Sequence, residues 1–448
     1  MASDWEGVSI APGYTMFEPE PAWTRLDDDP GFVAQIQIDR GRQDEFEQTS
    51  AGTAEIDLND TGQLDQTITA DLSGRPGAIA IRNPVTDEWF PLFRGSVDDY
   101  QYDLAGSQVV GRASLKLVDM QGYLEQFKLF ATGGPPGDPP PAQSAGYIFY
   151  EDTVSDGFQT RIVQALTDAG IPSGLMSIFT GNINMQESVY SPGESILTVI
   201  IDAADAEFPT VANFYVDKRG IFQAHGRYAR FDPDTVSASA SNWEFNRWKA
   251  GDGAAIQLDS ERAQIRPPYG YRRSPAFIRN HALSYPKPYP PVVPATNMTA
   301  QLKEDTTSRD TFGTYSWSAE NLKLTEGTTT GNNANVECQL YAQYIVDNYA
   351  EPRNRIPQLT FRSLHPEDPR AAANWDLICR VDISDVIDVA IGHPGGGGFS
   401  EEFYVEGLHY LIRPLVKDLD TGYPAVTLTV DLSPAAYWSS NPFGAVPT

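Results

Sequence analysis

Alternation of apolar and polar residues dominates the first third of the chain. VAQIQID (residues 33–39) and GTAEIDL (52–58) both repeat with a period of two. That is the mark of a half-buried strand, whose successive side chains point to opposite faces. Further strands are expected at 78–82, 90–95 and 109–118, separated by Gly, Pro, Asn and Asp turns. Several short strands in one block favour a barrel or sandwich. A short helix is predicted at 120–128, with Asp119 as its N-cap.

The period changes after GGPPGDPPPAQSAG (133–146), which reads as a linker or exposed loop. Phe158, Ile162, Leu166 and Ala169 recur at helical spacing, with Ser155 or Asp156 as cap and Gly170 then Pro172 as the stop. SPGE (191–194) reads as a capping box with Pro at the first helical position, opening an amphipathic helix through Ile196, Leu197, Ile200 and Ala204. Residues 211–216 and 221–224 read as a hairpin. The stretch 243–294 looks irregular and ends in YPKPYPPVVP (285–294), which favours a stiff polyproline II connector. A helix built on Val336, Leu340, Tyr344 and Ile345 must end before Pro352. Strands return at 358–362, 386–391, 402–413 and 425–432, with Asp368 and Pro369 capping a short helix between them.

Composition narrows the function classes. At 448 residues, 41% hydrophobic and 11% aromatic, the chain can bury more than one ordinary core. Its 60 acidic and 32 basic residues leave a formal charge of −28, a poor surface for gripping nucleic acid or an anionic membrane. Two cysteines, Cys338 and Cys379, exclude a disulfide scaffold and a paired-cysteine zinc site. The N-terminus lacks a basic region followed by an apolar stretch, and the purest apolar run, 196–201, is far short of a bilayer span. A soluble protein made without an export signal is expected.

The search for catalytic chemistry returns mostly absences. There is no GxxxxGK[ST], no GxGxxG after a strand and no GxSxG. The four-glycine run 395–398 lacks the lysine and following helix of a phosphate loop. Among His225, His281, His365, His393 and His409 no pair has the i, i+4 spacing that sets two imidazoles on one helix face. DLNDTG (57–62) begins like a calcium loop, but Ile68 stands where the bidentate glutamate belongs. Sixty acids always supply candidates for a glycosidase pair, so their abundance decides nothing. No catalytic, cofactor-binding or metal-binding residue is assigned.

A set of segments does resemble a known family. GTAEIDLND (52–60), the strand near 78–82 and PLFRGSVDDYQ (91–101) resemble the opening of minor tail proteins of long-tailed phages, particularly those infecting actinobacteria. PGESILTVIIDAADAEF (192–208) with FYVDKRGIFQAHG (214–226) is similar to the family's helix-then-hairpin module. EEFYVEGLHYLIRP (401–414) and VTLTVDLSPA (426–435) resemble its closing strands. The family forms the distal tail hub, similar to the baseplate hub of contractile tails. Residues 251–335 match no part of it.

The resemblance implies a mainly β fold with α+β insertions. It divides the chain into a first β-barrel-like tube domain (1–130), a Pro/Gly linker (131–146), an α+β module (147–250), an irregular connecting region (251–335), a second β-barrel-like tube domain (336–435) and a C-terminal tail (436–448). It further implies a homotrimer of pseudo-sixfold symmetry at the distal end of the virion tail, made in the host cytoplasm. The implied partners are the distal tail ring, tube and tape-measure proteins, with host-surface contact through them and DNA passing without specific binding. The family's optional C-terminal enzyme is expected to be missing, so no enzyme is expected. A hexameric distal tail ring protein is the alternative, and a cell-wall-binding or peptidoglycan-degrading tail protein a more distant one. Trp5, Trp23 and Trp438 would suit sugar stacking or packing against a neighbouring subunit. An acidic channel wall is expected to repel DNA.

Overall fold

The computed structural model describes residues 6–11, 14–18, 21–26, 32–60, 72–103, 111–129, 148–150, 157–181, 183–186, 188–239, 243–252, 261–287, 299–324, 334–392, 398–414, 423–438 and 442. The 133–146 linker lies outside them. Seven strands build a first β region: β1 (Val8–Ile10), β2 (Thr24–Arg25), β3 (Val33–Gly41), β4 (Ser50–Asp60), β5 (Pro76–Arg82), β6 (Trp89–Asp103) and β7 (Gly111–Val118). They pair antiparallel in the order β3-β4-β7-β6-β5-β1-β2. Alternation sets their faces. In β4, Ala54, Ile56 and Leu58 are buried, while Glu55 and Asp57 are exposed. Helix α1 (Met120–Gln126) follows with the expected cap, the Asp119 carboxylate accepting from the backbone N–H groups of Gln121 and Gly122. The same carboxylate accepts from Gly52 N at 2.8 Å, which ties the helix start to β4.

The α+β module comprises β8 (Ile148–Tyr150), α2 (Phe158–Asp168), β9 (Met176–Ile178), β10 (Ser188–Tyr190), α3 (Ile196–Glu207), β11 (Asn213–Val216), β12 (Phe222–His225) and α4 (Pro233–Ser239). Phe158, Ile162 and Leu166 form the buried stripe of α2. Two expected caps are corrected. The N-cap of α2 is Gly157, without a side-chain cap, and Ser155 and Asp156 lie outside the described residues. SPGE forms a turn rather than a capping box, since Glu194 N donates to Ser191 O at 3.1 Å and Gly193 has φ +93°, leaving Ser195 as the N-cap. The left-handed glycine turns the chain before helical geometry can begin. The β11–β12 hairpin closes on Asp217, whose carboxylate accepts from the N–H groups of Arg219 and Ile221.

The described residues between 251 and 335 form strands and a helix where an irregular connecting region was expected. After β13 (Arg247–Gly251) come β14 (Ala263–Gln264), β15 (Arg272–Arg273), β16 (His281–Pro286), β17 (Gln301–Glu304), α5 (Thr306–Phe312) and β18 (Ser316–Leu322). The sheet β17-β16-β18 lies against α6 (Ala334–Tyr349). Tyr285 and Pro286 thus belong to a strand, while the rest of the proline-rich stretch beyond residue 287 falls outside the described residues. The buried positions of β16 are Ala282, Ser284 and Pro286, so its two-residue period carries almost no hydrophobic signal.

The second β region contains β13, β14, β20 (Gln358–Arg362), β21 (Val386–Gly392), β22 (Gly398–Arg413) and β23 (Ala425–Pro434), while β19 (Asn354–Arg355) pairs with β15. The circuit β14-β13-β21-β22-β23-β20 returns on itself through a bridge between Ile265 and Phe361 and a 2.8 Å bond from Arg266 N to Thr360 O. It therefore takes two strands from outside 336–435. Helix α7 (Ala371–Arg380) buries Trp375, Ile378 and Cys379 in this core. Its N-cap is Arg370, while Asp368 organises the turn before it, accepting Arg370 N on its carboxylate and Ala371 N on its carbonyl.

Strand β22 serves both regions. Along one edge it pairs first with β21, over 398–404, and then with β3, over 407–412. Its other edge pairs with β23. The two ends of the chain are therefore hydrogen-bonded into one sheet.

Candidate functional site, a charged joint and a continuous polar sheet face

The handover on β22 occurs at a bulge, where Glu406 is skipped between the pairs of Val405 and Gly407 with β23. Gly407 stands opposite Gly41, and a Cβ on Gly41 (φ +93°) would come 2.2 Å from the Glu406 carbonyl oxygen. Only glycine permits that approach. The Glu406 side chain is wholly buried and accepts from Arg42 Nε at 2.8 Å, from Arg230 Nη1 and Nη2 at 2.5 and 2.8 Å, and from Ser433 Oγ at 2.5 Å. Burial works to raise its pKa, but the charges of Arg230 and Arg42 prevail and hold the carboxyl well below the usual range. Arg230 also lies over the rings of Trp438 and Tyr404.

Two further buried pairs flank this one on the segment leaving β3. Arg40 Nη2 donates to Asp382 Oδ1 at 2.9 Å and to Val216 O at 2.7 Å. Arg355 Nη1 donates to Glu45 Oε2 at 3.0 Å, its Nη2 to Glu45 Oε1, and its Nη2 also to the Tyr437 hydroxyl at 3.1 Å. Arg40, Arg42 and Glu45 thus staple the first β region to the module and to the second β region within six residues. The sequence reading assigned none of these roles. An available signal was Glu-Gly inside the strand pattern of 402–413, which marks a bulge.

Register carries one solvated face across β20, β23, β22, β3, β4, β7 and β6. One row reads Thr360, Thr429, His409, Asp39 and Thr53. The next reads Thr427, Leu411, Gln37, Glu55, Lys116 and Asp99, and a third Gln35, Asp57, Ser114 and Gln101. All are exposed or half-buried. The His409 imidazole is held between Asp39 Oδ1 (2.8 Å) and Asp431 Oδ2 (2.7 Å), and these two hydrogen bonds push its pKa up to about 9. His409 is therefore a cation at neutral pH, donating from both nitrogens to carboxylates of the two β regions.

The other expected candidates disperse. His225 is buried among Phe179, Tyr215 and Trp243, and burial, with the Arg230 charge, lowers its pKa to about 3. His281 lies on β16, His365 Nδ1 accepts from Glu367 N in a turn, and His393 is outside the described residues. Cys338 and Cys379 are free thiols in separate cores, both pushed up by burial. Asp57, Asn59 and Asp60 belong to strand β4, and the calcium-like segment from residue 61 on, like most of the four-glycine run, lies outside the described residues. Among the described residues no group of three His, Cys, Asp or Glu is placed to hold a metal. Trp438, expected to face a sugar or a neighbouring subunit, is buried against Tyr404 and Tyr437 of the same chain.

No protein-family model matches this chain, and no curated protein does. Solved structures do. The tail protein from Neisseria meningitidis MC58 aligns over 97% of this chain and 98% of its own, with 9% identity and a TM-score of 0.53. The 43 kDa tail protein of prophage MuSo2 from Shewanella oneidensis aligns over 97% and 100%, with 13% identity and a TM-score of 0.51. At such identities the likeness is one of fold, mainly β with α+β elements.

Proposed function

We propose that this chain is a structural, non-enzymatic component of a phage tail tip, a baseplate-hub-like protein that closes the tail tube and lines a passage for DNA. The observation that carries the reading is the single solvated sheet face running through both β regions. It is rich in Thr, Gln and Ser and holds both signs of charge, with Asp39, Glu55, Asp57 and Asp99 set among Arg112, Lys116 and the His409 cation. DNA is held by Lys and Arg that displace counterions from its phosphates. A mixed, hydroxyl-rich wall on a chain of net charge −28 offers no such grip. The fold shared with two tail proteins supports the same reading.

Two β regions per chain, fused edge to edge, suit a closed trimer presenting six tube-like units to a sixfold tail. Ring, tube and tape-measure proteins are the partners in this reading. Native mass spectrometry of the purified protein tests it, with three copies expected. Six copies would favour the distal tail ring, and a monomer at high concentration would count against both. Purified cell walls should stay turbid in its presence, and DNA should migrate unretarded at physiological salt.

A further inference from the structure

Surface arginines such as Arg82, Arg247, Arg309, Arg370 and Arg380 each pair with an Asp or Glu. Around the two-stranded ribbon β15–β19 the pattern differs. Arg272, Arg273, Arg279 and Arg353 lie in or beside it, all exposed or half-buried, and none forms an ion pair among the described residues. Arg273 Nε donates to the Pro352 carbonyl at 2.9 Å, and Arg279 Nη1 to the carbonyls of Ala276 and Ile278. Arg272 and Arg353 rest over the rings of Phe277 and Tyr437. Register adds another like charge, setting Arg272 opposite Arg355, whose own charge is met by Glu45. Burial and the Arg355 charge hold the Arg279 guanidinium below its ordinary pKa. Like charges gathered in this way cost stability, and a carboxylate brought from outside relieves that cost.

The layout of these charges selects among anionic partners. Arg272 and Arg273 are successive residues of one strand and so point to opposite faces. Charge spread over both faces suits several carboxylates on one chain better than a single small anion. A long duplex is disfavoured, because exposed Glu351 and Glu401 border the ribbon and repel phosphates beyond it. A short peptide stays within the ribbon, and each planar guanidinium matches a carboxylate with two parallel hydrogen bonds. Neither β15 nor β19 has a third strand beside it among the described residues, so an extended segment can also add along an edge. Tyr271, 57% exposed and stacked on Phe399, supplies apolar contact next to the charges.

We propose that this ribbon is the docking surface for an acidic segment of a partner protein, an extended run of Asp or Glu whose carboxylates accept from Arg272, Arg273, Arg279 and Arg353. The ribbon is then the place where a strongly acidic chain receives an acidic neighbour that the rest of its surface repels. The inference stands apart from the tail-tip reading and survives or fails without it.

Fluorescence anisotropy on the full chain tests it, with labelled oligo-glutamate as the probe, oligo-glutamine as the uncharged control and a short DNA duplex as the nucleic-acid control. Saturable binding of oligo-glutamate is expected, weakening with added salt. Reversing the ribbon with Arg272→Glu and Arg273→Glu should weaken it about a hundredfold. Arg272→Lys with Arg273→Lys keeps the charge but loses the planar fork, and should weaken it about tenfold. Arg413→Glu, an exposed site at the end of β22, should bind like the unmodified chain. Thermal unfolding confirms that the variants fold, and the lysine pair carries the test if the reversed pair does not. Several results overturn the proposal. They are no saturable binding of oligo-glutamate, tighter binding of oligo-glutamine or of the duplex, folded ribbon variants that bind like the unmodified chain, and an equal loss in Arg413→Glu. A change in copy number on ribbon reversal, read by native mass spectrometry, would assign the surface to a second copy of this chain and overturn it as well.

Discussion

The two β regions meet one problem, the exposed edges of a sheet, in opposite ways. The second returns on itself through Ile265 and Phe361, with α7 packed into its core. The first runs from β3 to β2 without returning to β3 among the described residues. Between β1–β5 and the β3–β22 pair it leaves a cleft of about 400 Å³, walled by Val8, Ile36, Ile81, Trp89, Ile412 and Tyr423. Alternating sequence builds both regions equally well. Closure depends instead on whether a connection brings the last strand back to the first, and β13 and β14, supplied from the middle of the chain, do this only for the second region. The first gains its order from outside, through β22 and the three buried arginine–carboxylate pairs.

That dependence can be broken at its joint. Glu406→Ala leaves Arg42 and Arg230 buried without a counter-charge and should cost about 3–5 kcal/mol in urea unfolding. A loss under about 1 kcal/mol, the scale of a surface pair, would show that the joint does not hold the regions together.

The contrast between the closed and open regions is sharpened by two equivalent truncations within their shared hydrophobic cluster. Ile387→Ala, in the second region, leaves an enclosed void and should fall near the upper end of the range of about 2–5 kcal/mol for such changes. Ile36→Ala borders space already present in the cleft and should fall near the lower end. Equal losses would mean that the cleft is filled as tightly as the closed core.

His409 joins the regions at their solvated face, where it is held between Asp39 and Asp431. Its folded pKa, about 9, lies above the ordinary value of 6.5, so its contribution is full below pH 6.5 and is lost as pH rises through about 9. His409→Gln should flatten stability between those limits. The side chain is 37% exposed, so solvent screening keeps the effect to about 1 kcal/mol or less. Smallest of all is Arg25→Ala, which removes an exposed 3.1 Å pair with Glu6 at the rim of the open region. A change within about 0.5 kcal/mol is expected in thermal unfolding.

Much of the local structure was legible in the sequence. The period of two marked β3, β4 and β20 to β23, and the helical period marked α2 and α3, because burial on one face requires that spacing whatever the fold. Asp119 announced its cap. The candidate site was far less legible: the absent motifs left no assigned residue, and Arg42, Arg230 and Glu406 passed as ordinary members of a charged, polar chain. Residues 251–335 were misread for a physical reason, since β16 buries Ala, Ser and Pro and its pattern hides from hydropathy.

Only the tertiary structure decided which edges meet. Side-chain alternation reports the faces of a strand, but partners are chosen at its edges by backbone groups that every residue shares. Nothing local in the sequence therefore says that residue 407 pairs with residue 41, or that β22 passes from one neighbour to another at Glu406. The sequence determined strands, helices and a polar face. The pairing of distant edges turned that face into one surface and made a buried glutamate the point where the two regions are held.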